Sequence, residues 1–128
     1  MDLLLDTHTL LWWVDDAPQL SAMARKAIME ADGFVYVSLA SVWELAIKVS
    51  LRKLRLALPV KQYVPYHLAA NGFIQLPIDF SHICQVETLP WRHRDPFDRL
   101  LIAQAQIQDL PRVSADARFD RYGIPRIW

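Results

Sequence analysis

What constrains this chain most is a repeated pattern in which short extended runs, each closed by a polar residue or proline, alternate with segments patterned for helix. Leu3-Leu4-Leu5 ends at Asp6, Phe34 to Val37 at Ser38, Phe73 to Leu76 at Pro77, and Arg112-Val113, entered from Pro111, at Ser114. A continuous apolar run such as Leu3 to Leu5, with no polar alternation, is the mark of a central parallel strand covered on both faces. Helices are predicted over Thr7 to Val14, from Leu20 or Ser21 to Ala31, from Ser38 to about Leu51, and over Val60 to Ala70, where Asn71-Gly72 stops the last. Further helices are predicted over Asp79 to Val86 and from Pro96 to about Asp109, with a helical turn over Asp116 to Tyr122 and a last strand over Ile124 to Ile127. Strands alternating with helices give an α/β fold with a mostly parallel sheet of about five short strands flanked by helices. At 128 residues this is a single domain, 1–128, with no repeat or linker.

Composition narrows the function classes. Fourteen basic residues balance fourteen acidic ones, so the uniform positive field of many nucleic-acid binders is absent. A local track remains, with Arg92, His93 and Arg94 in one stretch and Arg52, Lys53 and Arg55 in a loop or extended arm running to Pro59. The lone Cys84 allows neither an intrachain disulfide nor a CxxC metal site; it is expected to be a small core residue and suits a reducing, cytoplasmic setting. The apolar run at the N-terminus is too short for a signal peptide or membrane span.

The chemistry is concentrated in His93 to Ala105. Asp95 is placed to cap a helix, Pro96 fits its first position, and Asp98 falls on the same face as Leu101, Ile102 and Ala105. A carboxylate in an apolar stripe demands a partner, whether a cation, a metal or orphan N–H groups. Open α/β sheets gather functional groups at the carboxyl ends of their strands, which is where Asp6, Glu44 and Asp116 fall. Each acid also has an ordinary explanation. Asp6 and Asp116 can be helix caps, Glu44 can close a capping box with Ser41 or pair with Lys48, and Asp98 can simply favour a helix N-terminus. Four such acids meeting at one sheet edge would repel one another unless a cation intervened. An all-oxygen ligand set, with no His/Cys cluster at metal spacing, points to Mg²⁺ or Mn²⁺ and to phosphoryl transfer to water.

The same stretches carry a family likeness. Leu4-Leu5-Asp6-Thr7-His8, the run Val37 to Lys48, the run His93 to Ala105, and Ser114-Ala115-Asp116 resemble the successive motifs of PIN-domain ribonucleases, specifically VapC-type toxins of bacterial toxin–antitoxin pairs. That resemblance implies a PIN-like three-layer fold, a Mg²⁺- or Mn²⁺-dependent endoribonuclease acting on an RNA substrate, homodimerisation, and inhibition by a cognate antitoxin protein. Carried over by position, Asp6, Glu44 and Asp98 match the family's acidic triad and Asp116 its more variable fourth acid. All four are then metal ligands and catalytic. Asp95 and Ser114 take supporting places.

Around them, Thr7 is expected to orient Asp6 or a metal-bound water, Arg99 and Lys48 to neutralise carboxylates or hold RNA phosphate, and Arg94, in the basic track, to contact RNA. His8 is either a phosphate contact or a tucked-in ring. Trp12, Trp13 and Trp43 are expected in the core or a dimer contact. Two other readings stay open: a catalytically silent module that binds RNA or a partner through the same pocket, and a phosphatase using Asp6 as nucleophile. The second lacks the additional Asp two positions on that such enzymes use as an acid.

Overall fold

In the computed structural model, which describes residues 1–128, five strands form one wholly parallel sheet in the order β3-β2-β1-β4-β5. The strands are β1 (Leu3–Leu5), β2 (Val35–Ser38), β3 (Ile74–Leu76), β4 (Arg112–Val113) and β5 (Arg126–Ile127). The helices are α1 (Thr7–Val14), α2 (Ala22–Met29), α3 (Leu39–Ser50), α4 (Val60–Asn71), α5 (Phe80–Thr88) and α6 (Pro96–Gln108), and a 3₁₀ segment spans Ala117–Tyr122. The expected α/β class, parallel sheet and flanking helices are all present. The third and fifth strands are shorter than expected, and α5 ends at Thr88 rather than Val86.

Central β1 explains why its run had to be apolar throughout. Leu3 and Leu5 pack into a core layer with Leu10, Leu45, Val64 and Leu68 from α1, α3 and α4, whereas Leu4 points into the opposite layer with Leu101, Ile102 and Ala105 from α6. Alternation therefore sends successive leucines into two different cores. Truncating a buried leucine such as Leu4 to alanine would cost about 2–5 kcal/mol.

Three local devices set the strand ends that matter for function. Asp6 N–H donates to the Val113 carbonyl (3.1 Å) and the Thr9 hydroxyl to the same oxygen (2.8 Å), fixing the start of α1 beside the end of β4. Ser38 caps α3 by accepting from Ala40 N–H (3.0 Å) and donates to Gln104 Oε1 (2.6 Å), which anchors α6 to the end of β2. Gly72 closes α4 at φ +66°, a left-handed turn that glycine adopts without penalty.

Candidate active site

Asp6 is the hub, held from three directions. Its Oδ1 accepts Thr7 N–H (2.9 Å) and Arg112 Nη2 (3.1 Å), and its Oδ2 accepts the Ser114 hydroxyl (2.9 Å). Ser114 Oγ also accepts Asp116 N–H (3.0 Å), so one buried hydroxyl couples the first acid to the backbone of the fourth. From α1, the Thr7 hydroxyl donates to Glu44 Oε1 (2.8 Å) and lies 2.9 Å from Ser41 Oγ. The cap of α3 is Ser38, so Ser41 forms no capping box with Glu44 and instead meets the Thr7 hydroxyl, fully buried. The ordinary ion pair does form, with Lys48 Nζ 2.8 Å from Glu44 Oε2.

Asp98 enters from the opposite layer. Asp95 caps α6 by accepting Asp98 N–H (3.0 Å), which fixes the first turn of the helix from which Asp98 Oδ2 reaches within 3.1 Å of His93 Nε2. Burial pushes its carboxyl up to about 7, reinforced by the like charges of Asp6, Asp95 and Glu44 and only partly offset by Arg112. The pocket thus holds more negative charge than its built-in cations balance. Asp116 behaves differently. Partial burial acts to raise its pKa, but hydrogen bonds and charge from Arg118, with a further bond from His93, bring it down to about 2. Arg118 Nε and Nη2 reach its oxygens at 2.9–3.1 Å.

Two buried groups were not foreseen in these roles. His93, expected in a local basic track with Arg92 and Arg94, is almost fully buried, with Nε2 3.1 Å from Asp98 Oδ2 and 3.4 Å from Asp116 Oδ2. Its Nδ1 accepts Asp95 N–H (3.2 Å), which leaves the proton on Nε2 facing the two carboxylates. His93, Asp98 and Asp116 each have a ligating atom within a 4.8 Å cluster, but with this tautomer the ring is a donor to the acids and not a metal ligand. Arg112, fully buried, lies beneath Asp6 with its guanidinium 3.6 Å from the Phe119 ring centroid. The available signal was an arginine in a two-residue strand flanked by core, as anomalous there as Asp98 is on its helix.

The arrangement has the chemistry of a cation-dependent hydrolytic centre. Asp6, Glu44 and Asp98 offer hard carboxylate oxygens, a chemistry that fits a divalent ion. The phosphatase alternative fits less well, because both Asp6 oxygens are already engaged by Thr7, Arg112 and Ser114.

The PIN domain model matches residues 3–125. This chain belongs to the PIN-domain family. It is 31% identical over 126 residues to ribonuclease VapC22 of Mycobacterium tuberculosis, covering 96% of this chain and 93% of the relative. The fold of this PIN domain is similar to VapBC2 from Rickettsia felis, solved bound to a DNA fragment from their promoter, with TM-score 0.73, 14% identity and coverage of 98% and 97% of the two chains. It is also similar to DNA-bound VapBC from Salmonella typhimurium, with TM-score 0.72, 16% identity and coverage of 98% and 96%.

Within the PIN domain, several peripheral expectations need correcting. Arg99 does not face RNA; it is buried, and Nη1 and Nη2 donate to the carbonyls of Pro90, His93, Val86 and Leu89 at 2.9–3.3 Å, with Trp91 stacked 3.8 Å from it. A guanidinium with several donors can pin a loop of irregular backbone, and here it shapes the rim carrying His93. Cys84 is exposed and not in the core. Trp43 is 57% exposed and packs edge-on against Phe97 at 5.0 Å, whereas Trp12 and Trp13 pack against the main core. His8 is exposed and stacks on Trp12. Arg94 is exposed, and Lys48 is held half-buried by Glu44. No helix is long and apolar enough to cross a membrane.

Proposed function

We propose that this PIN domain is a divalent-metal-dependent endoribonuclease that acts as the toxin of a toxin–antitoxin pair. The observation that carries the reading is the convergence of acids on Asp98, a half-buried carboxyl on which the charges of Asp6, Asp95 and Glu44 act with only Arg112 opposing them. The ribonuclease relative and the toxin–antitoxin complexes sharing the fold support the RNA substrate and an antitoxin partner.

Asp6, Glu44 and Asp98 would hold Mg²⁺ or Mn²⁺, with Asp116 at the margin. When bound there, such an ion supplies Lewis-acid polarisation of a phosphate and a more acidic water. The chain's own groups do the positioning. The Thr7 hydroxyl fixes the Glu44 carboxylate, Ser114 fixes Asp6, and Asp95 holds the first turn of α6 so that Asp98 faces them. His93 keeps a proton between Asp98 and Asp116. Exposed Arg94 is available for a backbone phosphate, and Lys48 stands beside Glu44 as a second candidate. A homodimer and an antitoxin contact at the Arg52 to Pro59 arm belong to the same reading. That arm forms a basic and apolar concavity of about 530 Å³ with Val49.

The test is cleavage of single-stranded RNA by purified protein in Mg²⁺ or Mn²⁺. Cleavage should vanish with EDTA and in Asp98→Asn while circular dichroism stays native. Cleavage that persists in both, or RNA binding with no turnover at any metal concentration, would overturn the enzyme reading. Deleting the arm should weaken co-purification with a neighbouring-gene product, and undiminished capture would remove the arm from the antitoxin contact.

A further inference from the structure

We infer that Arg112 is a built-in counter-charge for the acid pocket, a positioning residue whose buried guanidinium occupies one oxygen of Asp6 and repels an incoming cation, weakening the hold of the pocket on a divalent ion. The inference rests on the metal reading above, but on a different observation.

Arg112 has no exposure at all, and of its donor atoms only Nη2 finds a hydrogen-bond partner, Asp6 Oδ1 at 3.1 Å; Nε and Nη1 have none. Burying a guanidinium with donors unpaired is costly. The contrast with Arg99 is informative, because that equally buried side chain spends its two terminal nitrogens on four carbonyls and so acts as a hydrogen-bonding staple. Arg112 makes one bond and an aromatic stack on Phe119. What it delivers to the pocket is therefore mainly charge.

That charge sits on the strand face shared with Leu4, its register partner, below the edge where Asp6, Asp98 and Asp116 gather. Opposite charges attract across a buried pocket far more strongly than in water, and a cation held near Asp6 would be repelled by the guanidinium for the same reason. Removing the charge need not release Asp6, which keeps its bonds from Thr7 N–H and the Ser114 hydroxyl. The two consequences can thus be separated: orientation of Asp6 is shared among three donors, whereas its internal neutralisation falls to one.

The experiment measures Mn²⁺ binding to the purified protein by electron paramagnetic resonance, alongside thermal melts with and without Mn²⁺. Arg112→Met should bind Mn²⁺ about tenfold or more tightly than wild type, while Arg112→Lys, which keeps the charge, should stay within about threefold. Met at 112 should also gain more melting temperature from Mn²⁺ than wild type does, because the ion replaces the lost charge. If the Met variant folds only when Mn²⁺ is present, that too supports the inference. A natively folded Met variant with unchanged or weaker Mn²⁺ binding would overturn it. So would failure of both Arg112→Met and Arg112→Gln to fold with and without Mn²⁺, since the arginine would then be structural. Wild-type protein that binds no Mn²⁺ would be a distinct failure, of the metal reading itself.

Discussion

The pocket has two flanks built from the same residue type. On one, the charges of Asp6 and Glu44 bear on Asp98, Arg112 pairs with Asp6 and Lys48 with Glu44, and Asp98 is left with a carboxyl pushed up to about 7 by burial and like charge. On the other, Asp116 is clasped through both oxygens by Arg118 and held at about 2, burial notwithstanding. The difference teaches that an acid's place in a cluster does not fix its role. An under-compensated carboxyl is ready for a cation from solution, whereas one already paired at hydrogen-bond distance behaves as a rim group and helix cap.

That contrast is tested most severely by Asp98→Asn against Asp116→Asn. The first should lower RNA cleavage by about 10²–10³-fold, the scale for losing electrostatic stabilisation at a reacting group, with the fold intact. The second should cost clearly less in the same assay. Equal losses would erase the distinction between the flanks.

Removing the donors that orient the first flank comes next. Thr7→Val leaves Glu44 without its 2.8 Å hydroxyl, and Ser114→Ala frees Asp6 Oδ2. Each should reduce activity or metal affinity by about 10–100-fold, as loss of supporting hydrogen bonds around a metal site does.

Stability against pH gives a third comparison. Asp98's folded pKa lies above its unfolded value, so the folded state binds a proton the unfolded chain has released; metal-free protein should lose melting temperature as pH rises from about 4 to about 7. Mg²⁺ should then raise the melting temperature more at pH 8 than at pH 5, and Asp98→Asn should flatten the metal-free trend. Asp116 runs the other way: its contribution is present above pH 4 and lost as pH falls toward 2.

The smallest effect is expected for Arg118→Ala. The side chain is largely exposed, so cleavage should change by less than about tenfold, while the acid-side stability slope assigned to Asp116 should shrink, the backbone N–H of residue 118 and His93 keeping the rest.

Much of this was legible before any coordinates. Residues 3–5 had to be a central strand because nothing in Leu3-Leu4-Leu5 tolerates water, and Asp98 declared itself by breaking an apolar stripe after a cap and a first-turn proline. These are local signals, carried by periods of two and 3.6 residues. Long-range contacts left no such trace. His93 sits in a stretch that reads as a basic track, Arg99 reads as a carboxylate or phosphate contact and Arg112 is anomalous in a core strand, but nothing in the sequence says that the first bridges two acids, the second pins a loop and the third underlies Asp6. Cys84 reads as core and lies exposed, and Trp43, expected in the core or a dimer contact, is outside the core, because burial depends on which helix face meets a neighbour.

The sequence by itself determined the order of strands and helices and the buried leucines of β1, and it singled out the four acids as candidates, since each follows from hydrophobic pattern, capping chemistry and family motif within a short window. Only the tertiary structure decided which charges meet. A side chain's electrostatic partners lie up to 106 positions away along the chain, as Asp6 and Arg112 do, and Coulomb's law acts on distance in space.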